Sequence, residues 1–278
     1  MRVFGEDGGA LARAGADVDA LRALEDEVAA AVASLPRGGS ADAHVHLGRD
    51  ADGHRLDAAG LLEDLERWEL ESAVCFPANE PGPDKQFAGA NAAVIAAAEA
   101  APGRVIPFCR VDPTQPGALD AMARAAAAGA RGLKLHPVAQ RFRPEADEAA
   151  EVVRDAATRG WPVVIHAGFG ARPLAAGIAA LVEAVPGARL VLAHGGRGDA
   201  REIATRLDGW PDVMLDTSLA ALADLSALPP ARLVFGSDRP YGDHATALLL
   251  VRRAADVAGW GPDELAGVMG GNLRRWVP

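Results

Sequence analysis

Within Ser40-Ala-Asp-Ala-His-Val-His-Leu-Gly48, two imidazoles stand two residues apart, just after a carboxylate. On a strand, side chains alternate between faces, so Asp42, His44 and His46 are expected on one side and Ala43, Val45 and Leu47 on the other. Two imidazoles one pleat apart can close on a single metal ion, and neutral imidazole suits zinc, iron, nickel and copper. A catalytic zinc needs three or more protein ligands and leaves a position for water, so the rest of the chain must supply further donors. Lys134, His136, His166, His194, Asp216 and Asp238 qualify, because each closes a short apolar run. Arg110 and Asp112 follow another such run, and either orient a substrate carboxylate or pair with each other. Asn79, Glu80, Tyr241 and Asp243 are candidates by position alone. His54 and His244 fall in loop and helix-start settings, where surface exposure is the expectation.

Those runs read as strands alternating with helices. Strands are expected near His44, over Ser72–Pro77, Val105–Arg110, Ala130–His136, Pro162–Ala167, Arg189–His194 and Val213–Asp216, and over Arg232–Gly236. Val163-Val-Ile165, Leu190-Val-Leu192 and Leu233-Val-Phe235 are continuously apolar, as suits strands of a parallel sheet covered by helices. Eight strands in alternation with helices predict a (β/α)8 TIM barrel, with a doubly wound sheet as the other arrangement. In such barrels the active site lies at the C-terminal ends of the strands. Five of the chain's seven histidines fall at such ends.

The N-terminal forty residues are expected to form a helical extension before a barrel spanning 41–278. Residues 1–16 read as a lead-in. Asp17 can cap a helix whose Val18, Leu21, Leu24, Val28 and Val32 share a stripe, and Pro36-Arg-Gly-Gly39 ends it. This helix would pack on the barrel or dock on a second subunit, which leaves a homodimer open. Gly270-Gly-Asn272 reads as a helix end with an amide tying down the last segment.

Composition narrows the partners. The 278 residues carry 28 Lys and Arg against 38 Asp and Glu, a net charge of −10. That balance disfavours nucleic acid and anionic membrane surfaces and suits a small-molecule substrate. Two cysteines, Cys75 and Cys109, are too few for a disulfide framework and read as buried thiols. No run reaches the roughly 18 to 20 apolar residues of a membrane span, and no leader pattern opens the chain, so a cytoplasmic location is expected.

His44-Val-His46, Gly132-Leu-Lys-Leu-His-Pro137, Val164-Ile-His-Ala-Gly168, Leu192-Ala-His-Gly195 and Phe235-Gly-Ser-Asp238 come in an order that resembles the amidohydrolase superfamily. Within it they are similar to the amidohydrolase-related branch that contains the aminocarboxymuconate semialdehyde decarboxylases. The resemblance runs from about residue 40 to Gly270-Gly-Asn-Leu-Arg274. It implies one divalent metal, zinc first and manganese or iron after it, held by His44, His46, His166 and Asp238. It also implies that His194 sits beside the metal to polarise the substrate or move a proton, a hydrogen bond to one of the metal's ligands being the other role. Asp238 would act as the acid/base as well as a ligand, unless it only caps the following helix. In binuclear members of the superfamily a lysine at the place of Lys134 is carboxylated to bridge two metals. The branch this chain resembles is mononuclear, so Lys134 and His136 are read as substrate-side residues with Arg110.

Such a site lowers the pKa of a bound water from about 16 towards about 7. The leading expectation is therefore hydrolysis of an amide, ester or lactone. Nonoxidative decarboxylation of an unsaturated or aromatic acid is the second, and an inactive metabolite-binding barrel the third.

Overall fold

The computed structural model describes residues 15, 17–79, 84, 86–170 and 174–277. Strand β1 is Ala41–Arg49, and a two-residue strand, β2 (Arg55–Leu56), pairs antiparallel with its end. There follow β3 (Ser72–Pro77), β4 (Val105–Pro107), β5 (Cys109–Arg110), β6 (Leu133–Leu135), β7 (Val163–Ile165), β8 (Leu190–Leu192), β9 (Val213–Asp216) and β10 (Leu233–Val234). Two sheets run β2-β1-β3-β4 and β10-β9-β8-β7-β6-β5. Phe108 joins them: its N–H bonds to the Cys75 carbonyl, while the next N–H, of Cys109, bonds to Gly132. At the other seam Ala43 N–H donates to Phe235, Asp238 N–H to His44 and His46 N–H to Arg239, so the ring closes. Counting β4 and β5 as one interrupted strand, eight parallel strands form a (β/α)8 barrel, as the alternation of runs predicts.

Outward side chains such as Val45, Cys75, Leu135, Ile165 and Leu192 pack with the helices in one core. A second cluster of Ala43, Val74, Phe76, Phe108, Val164 and Val191 includes Leu273, Trp276 and Val277. The C-terminal segment therefore packs against the side chains inside the barrel. The Asn272 amide donates to the Pro230 and Leu233 carbonyls and ties that segment to β10, as expected. Gly270 is the close approach that permits this, since a Cβ there would meet the Gly39 carbonyl oxygen and the Ala41 nitrogen. Overpacking of this kind costs about 3 kcal/mol. Gly270→Ala should lower unfolding stability by that amount in a urea titration.

Helix α1 (Val18–Ala33) is capped by Asp17, and its buried Val28 and Val32 join the barrel's outer core. It packs on the helix His244–Ala258, here α2, and Arg253 of that helix pairs with Glu27. The lead-in lies outside the described residues except for Gly15. No described helix is long and apolar enough to cross a membrane.

One face assignment is corrected. The pairing of β1 with β3 shifts between Asp42 and Val45, which inserts an extra residue into β1. The bulge leaves Ala43 in the inner cluster and puts the His44 and His46 rings together in the mouth. Asp42 turns to the outer side instead, where it meets His244 of α2. A regular pleat would have put Asp42 with the histidines; a bulge breaks that period.

Candidate metal centre

The donors meet where β1 and β10 close the ring. His44 Nε2 lies 3.2 Å from His46 Nε2 and 3.1 Å from Asp238 Oδ1, and His46 Nε2 lies 3.3 Å from the same oxygen. Ligands about 2.0 Å from a tetrahedral zinc are about 3.3 Å from one another, so the triplet has the spacing of a shared ion. Asp238 Oδ1 is buried and has no hydrogen-bond donor directed at it. A buried anionic oxygen facing two imidazoles without a hydrogen bond fits a cation's donor set. The three side chains therefore fit a divalent metal.

Each donor is held from behind. Asp238 has φ 59°, a left-handed conformation that costs a non-glycine residue about 1 to 2 kcal/mol. Its N–H donates to His44, and its carbonyl accepts from Tyr241 and Gly242. These bonds place Asp238 at the seam and exclude a capping role, since Asp243 caps α2. His44 Nδ1 donates to Asp216 at 2.7 Å, which leaves the Nε2 lone pair facing the mouth. Asp216 Oδ1 also accepts from the backbone N–H groups of His194 and Ser218. Burial opposes the Asp216 carboxylate, but His44, His194 and Ser218 hold its pKa far below the ordinary value. His44, His194 and Asp216 also converge, but Ser218 and these direct bonds already occupy their facing atoms. Asp216→Asn should cut metal affinity about 10- to 100-fold by freeing the His44 tautomer, measurable by competition with a chelating dye.

The ionisation states of His46, His166 and His194 suit metal ligation. Burial pushes His46 down to about 3, His166 to about 3 and His194 to about 4, so all three are neutral at pH 7. Burial and Lys134 act against a charged His44, but Asp216 and Asp238 outweigh them and its pKa rises. Asp238 is held well below the carboxylate range by His44 and His46, against the cost of burial. Burial brings the Lys134 amine down to about 7, with Asp238 and Asp216 pulling the other way.

His166 is placed next to this triplet and outside it. Its Nε2 donates to the Phe169 carbonyl at 3.0 Å, so its Nδ1 is the acceptor for His194 Nε2 at 3.1 Å. The His136 ring stacks on His166 at 3.9 Å between centroids. Lys134 Nζ lies 3.1 Å from His44 Nε2 and over the Phe76 ring.

Arg110 is buried in register with Lys134 on the neighbouring strand. Its guanidinium donates to the Asn79 side chain and the Pro77 carbonyl and lies over Phe87, and Nε has no partner. Among the described residues no carboxylate pairs with it. Asp112 bonds to Thr114 instead, which removes the Arg110–Asp112 pair from the two readings. Glu80 lies outside the described residues. The Tyr241 ring stands edge-on to His46, and the exposed His54 lies beside it.

Sequence reasoning named Asp216 only as a strand-end residue and assigned Ser218 nothing; their two-residue spacing at the β9 end was the available signal. It placed His244 on the surface, whereas the residue is buried and bonded to Asp42. A histidine at the first turn of a helix is exposed only if nothing packs on it, and here it packs against Asp42 of β1.

The fold and site define a class: a closed parallel (β/α)8 barrel whose mouth carries imidazole and carboxylate groups able to hold a metal. The amidohydrolase family model matches residues 41–278, and the chain belongs to that family. No curated relative matches it in sequence. An uncharacterized TIM-barrel protein from Bordetella bronchiseptica is similar in structure, with TM-score 0.67 at 17% identity over 85% of this chain and 98% of that one. A probable 2-pyrone-4,6-dicarboxylic acid hydrolase from Acinetobacter baumannii gives 0.62 at 14% identity, covering 86% and 98%. The 5-carboxyvanillate decarboxylase of Sphingomonas paucimobilis gives 0.62 at 18%, covering 77% and 81%. At such identities the likeness establishes the fold.

Proposed function

We propose that this protein is a metal-dependent hydrolase acting on an amide, ester or lactone carbonyl of a small carboxylate-bearing molecule. The observation that carries the reading is the buried, unbonded Asp238 Oδ1 between two imidazoles. His44, His46 and Asp238 would hold one divalent ion, zinc before manganese or iron, with His166 as the fourth ligand in exchange for its Phe169 contact. When bound, the ion supplies Lewis acidity and a water acidified towards neutral pH. Asp238, whose carboxylate His44 and His46 favour against the cost of burial, would take the proton from the attacking water and then return it to the leaving group. His194, bonded to His166 and Ser218, carries protons or steadies charge on the substrate oxygen. Arg110 anchors the substrate's carboxylate, and Lys134 and His136 line its other side.

That no carboxylate among the described residues pairs with Arg110 also favours a second reading, nonoxidative decarboxylation. Two of the similar structures bear names of enzymes for carboxylic acids, one a hydrolase and one a decarboxylase. Incubation of the zinc, manganese and iron forms with lactones, amides and aromatic acids in 18O-labelled water separates the two. Label in the organic product supports hydrolysis, and release of carbon dioxide with no label in the organic product supports decarboxylation. No turnover with any of them leaves a binding barrel. Metal counting distinguishes one ion from a pair bridged by carboxylated Lys134.

A further inference from the structure

We infer that Asp42 and His244 are positioning residues that hold the metal-binding seam from the barrel's outer face. The inference rests on the reading that His44, His46 and Asp238 bind a cation. Asp42 Oδ1 accepts the His44 N–H at 2.9 Å and the Ser237 N–H at 3.0 Å. One of these residues is itself a donor, and the other directly precedes Asp238. A single carboxylate oxygen thus grips both strands of the seam at the point where each presents its ligand. His244 Nε2 lies 3.0 Å from Asp42 Oδ2, and its Nδ1 has no partner. Among the described residues, donation from Nε2 to Asp42 is therefore the ring's only hydrogen bond, and it fixes the carboxylate's rotation.

Packing alone would not select this pair. Neighbouring outward positions are apolar, Val45, Leu47, Ala73 and Cys75 among them, and an apolar residue at 42 would avoid burying a carboxylate. Both residues are almost wholly buried. His244 lines a groove with Leu24 and Val28 of α1, Trp68 and Arg239. The N-terminal helix, which precedes the family match, thus forms one wall of the groove beside His244. What Asp42 gives the fold that an apolar residue would not is the bulge itself, because the carboxylate bonds the His44 amide that the bulge releases from the ladder. Without it β1 loses the register that brings the His44 and His46 rings together.

The test uses the full chain stripped of metal, as wild type, Asp42→Ala, His244→Phe and His244→Gln. Zinc affinity is read by competition, the cobalt(II) form by its visible absorption, and the metal-free stability by urea unfolding. We expect zinc affinity to fall about 10- to 100-fold in Asp42→Ala and His244→Phe, the range for partners behind metal ligands, with shifted cobalt bands. His244→Gln, which restores a donor towards Asp42, should recover most of the affinity and the wild-type bands. Unchanged affinity and unchanged bands in His244→Phe would overturn the inference, whatever the loss of stability, and would leave the metal reading intact. If Asp42→Ala does not fold, His244→Phe and its Gln counterpart decide alone. A wild-type chain that binds neither zinc nor cobalt would overturn the metal reading and this inference together.

Discussion

Asp238→Asn should reduce turnover by about 10²- to 10⁴-fold, the range that a positioned proton-transfer group contributes, while the protein keeps most of its metal. The substitution preserves one oxygen at the place now 3.1 and 3.3 Å from the two imidazoles, so a donor remains. It removes the negative charge and the capacity to take a proton. The backbone bonds that hold residue 238 in its left-handed turn involve no side-chain atom, so the fold should tolerate the change. Turnover measured beside metal content by elemental analysis gives the check: wild-type rates in the variant would remove Asp238 from the chemistry. Loss of metal and activity together would make it a ligand before anything else. His46→Ala is the contrasting variant, since it deletes a donor outright and should lose the ion as well as the activity.

Arg110→Gln should cost about 3 kcal/mol in binding a carboxylate substrate, or about a hundredfold in kcat/KM, because it removes a buried charge partner. If the guanidinium only holds the substrate, the loss appears in KM with kcat little changed. A substrate analogue with the carboxylate methylated should be almost indifferent to the substitution, and equal losses for acid and ester would refute the anchoring role. Stability gives an independent reading. Burial brings the guanidinium down to about 10, so the fold already works against the charge. Removing that charge should leave unfolding stability unchanged or raised, whereas a structural arginine would show a loss.

The architecture was legible because it depends on local patterns. Continuous apolar runs such as Val163-Val-Ile165 and Leu190-Val-Leu192 mark strands buried on both faces, and all eight expected runs form barrel strands. The element bounds were less legible. The fourth strand shrinks from Ala130–His136 to Leu133–Leu135, since His136 and Pro137 turn away to start a short helix. The interruption at Phe108, where the chain changes partner strand, has no local signal at all, because either neighbour would satisfy an apolar residue there.

By itself the sequence determined which residues stand at the strand ends: His44, His46, Lys134, His136, His166, His194, Asp216 and Asp238. That follows from side-chain chemistry and the ends of apolar runs, both of which are local. Only the tertiary structure decided which of them meet. His44, His46 and Asp238 converge within 3.3 Å, while His166 turns to His194 and the Phe169 carbonyl. The division has a physical cause. Convergence is set by the closure of β10 on β1, with 190 or more residues between the partners, and by one inserted residue in β1. Asp42 shows the consequence most clearly: strand alternation sends it into the mouth, and the bulge that its own carboxylate secures sends it out to His244.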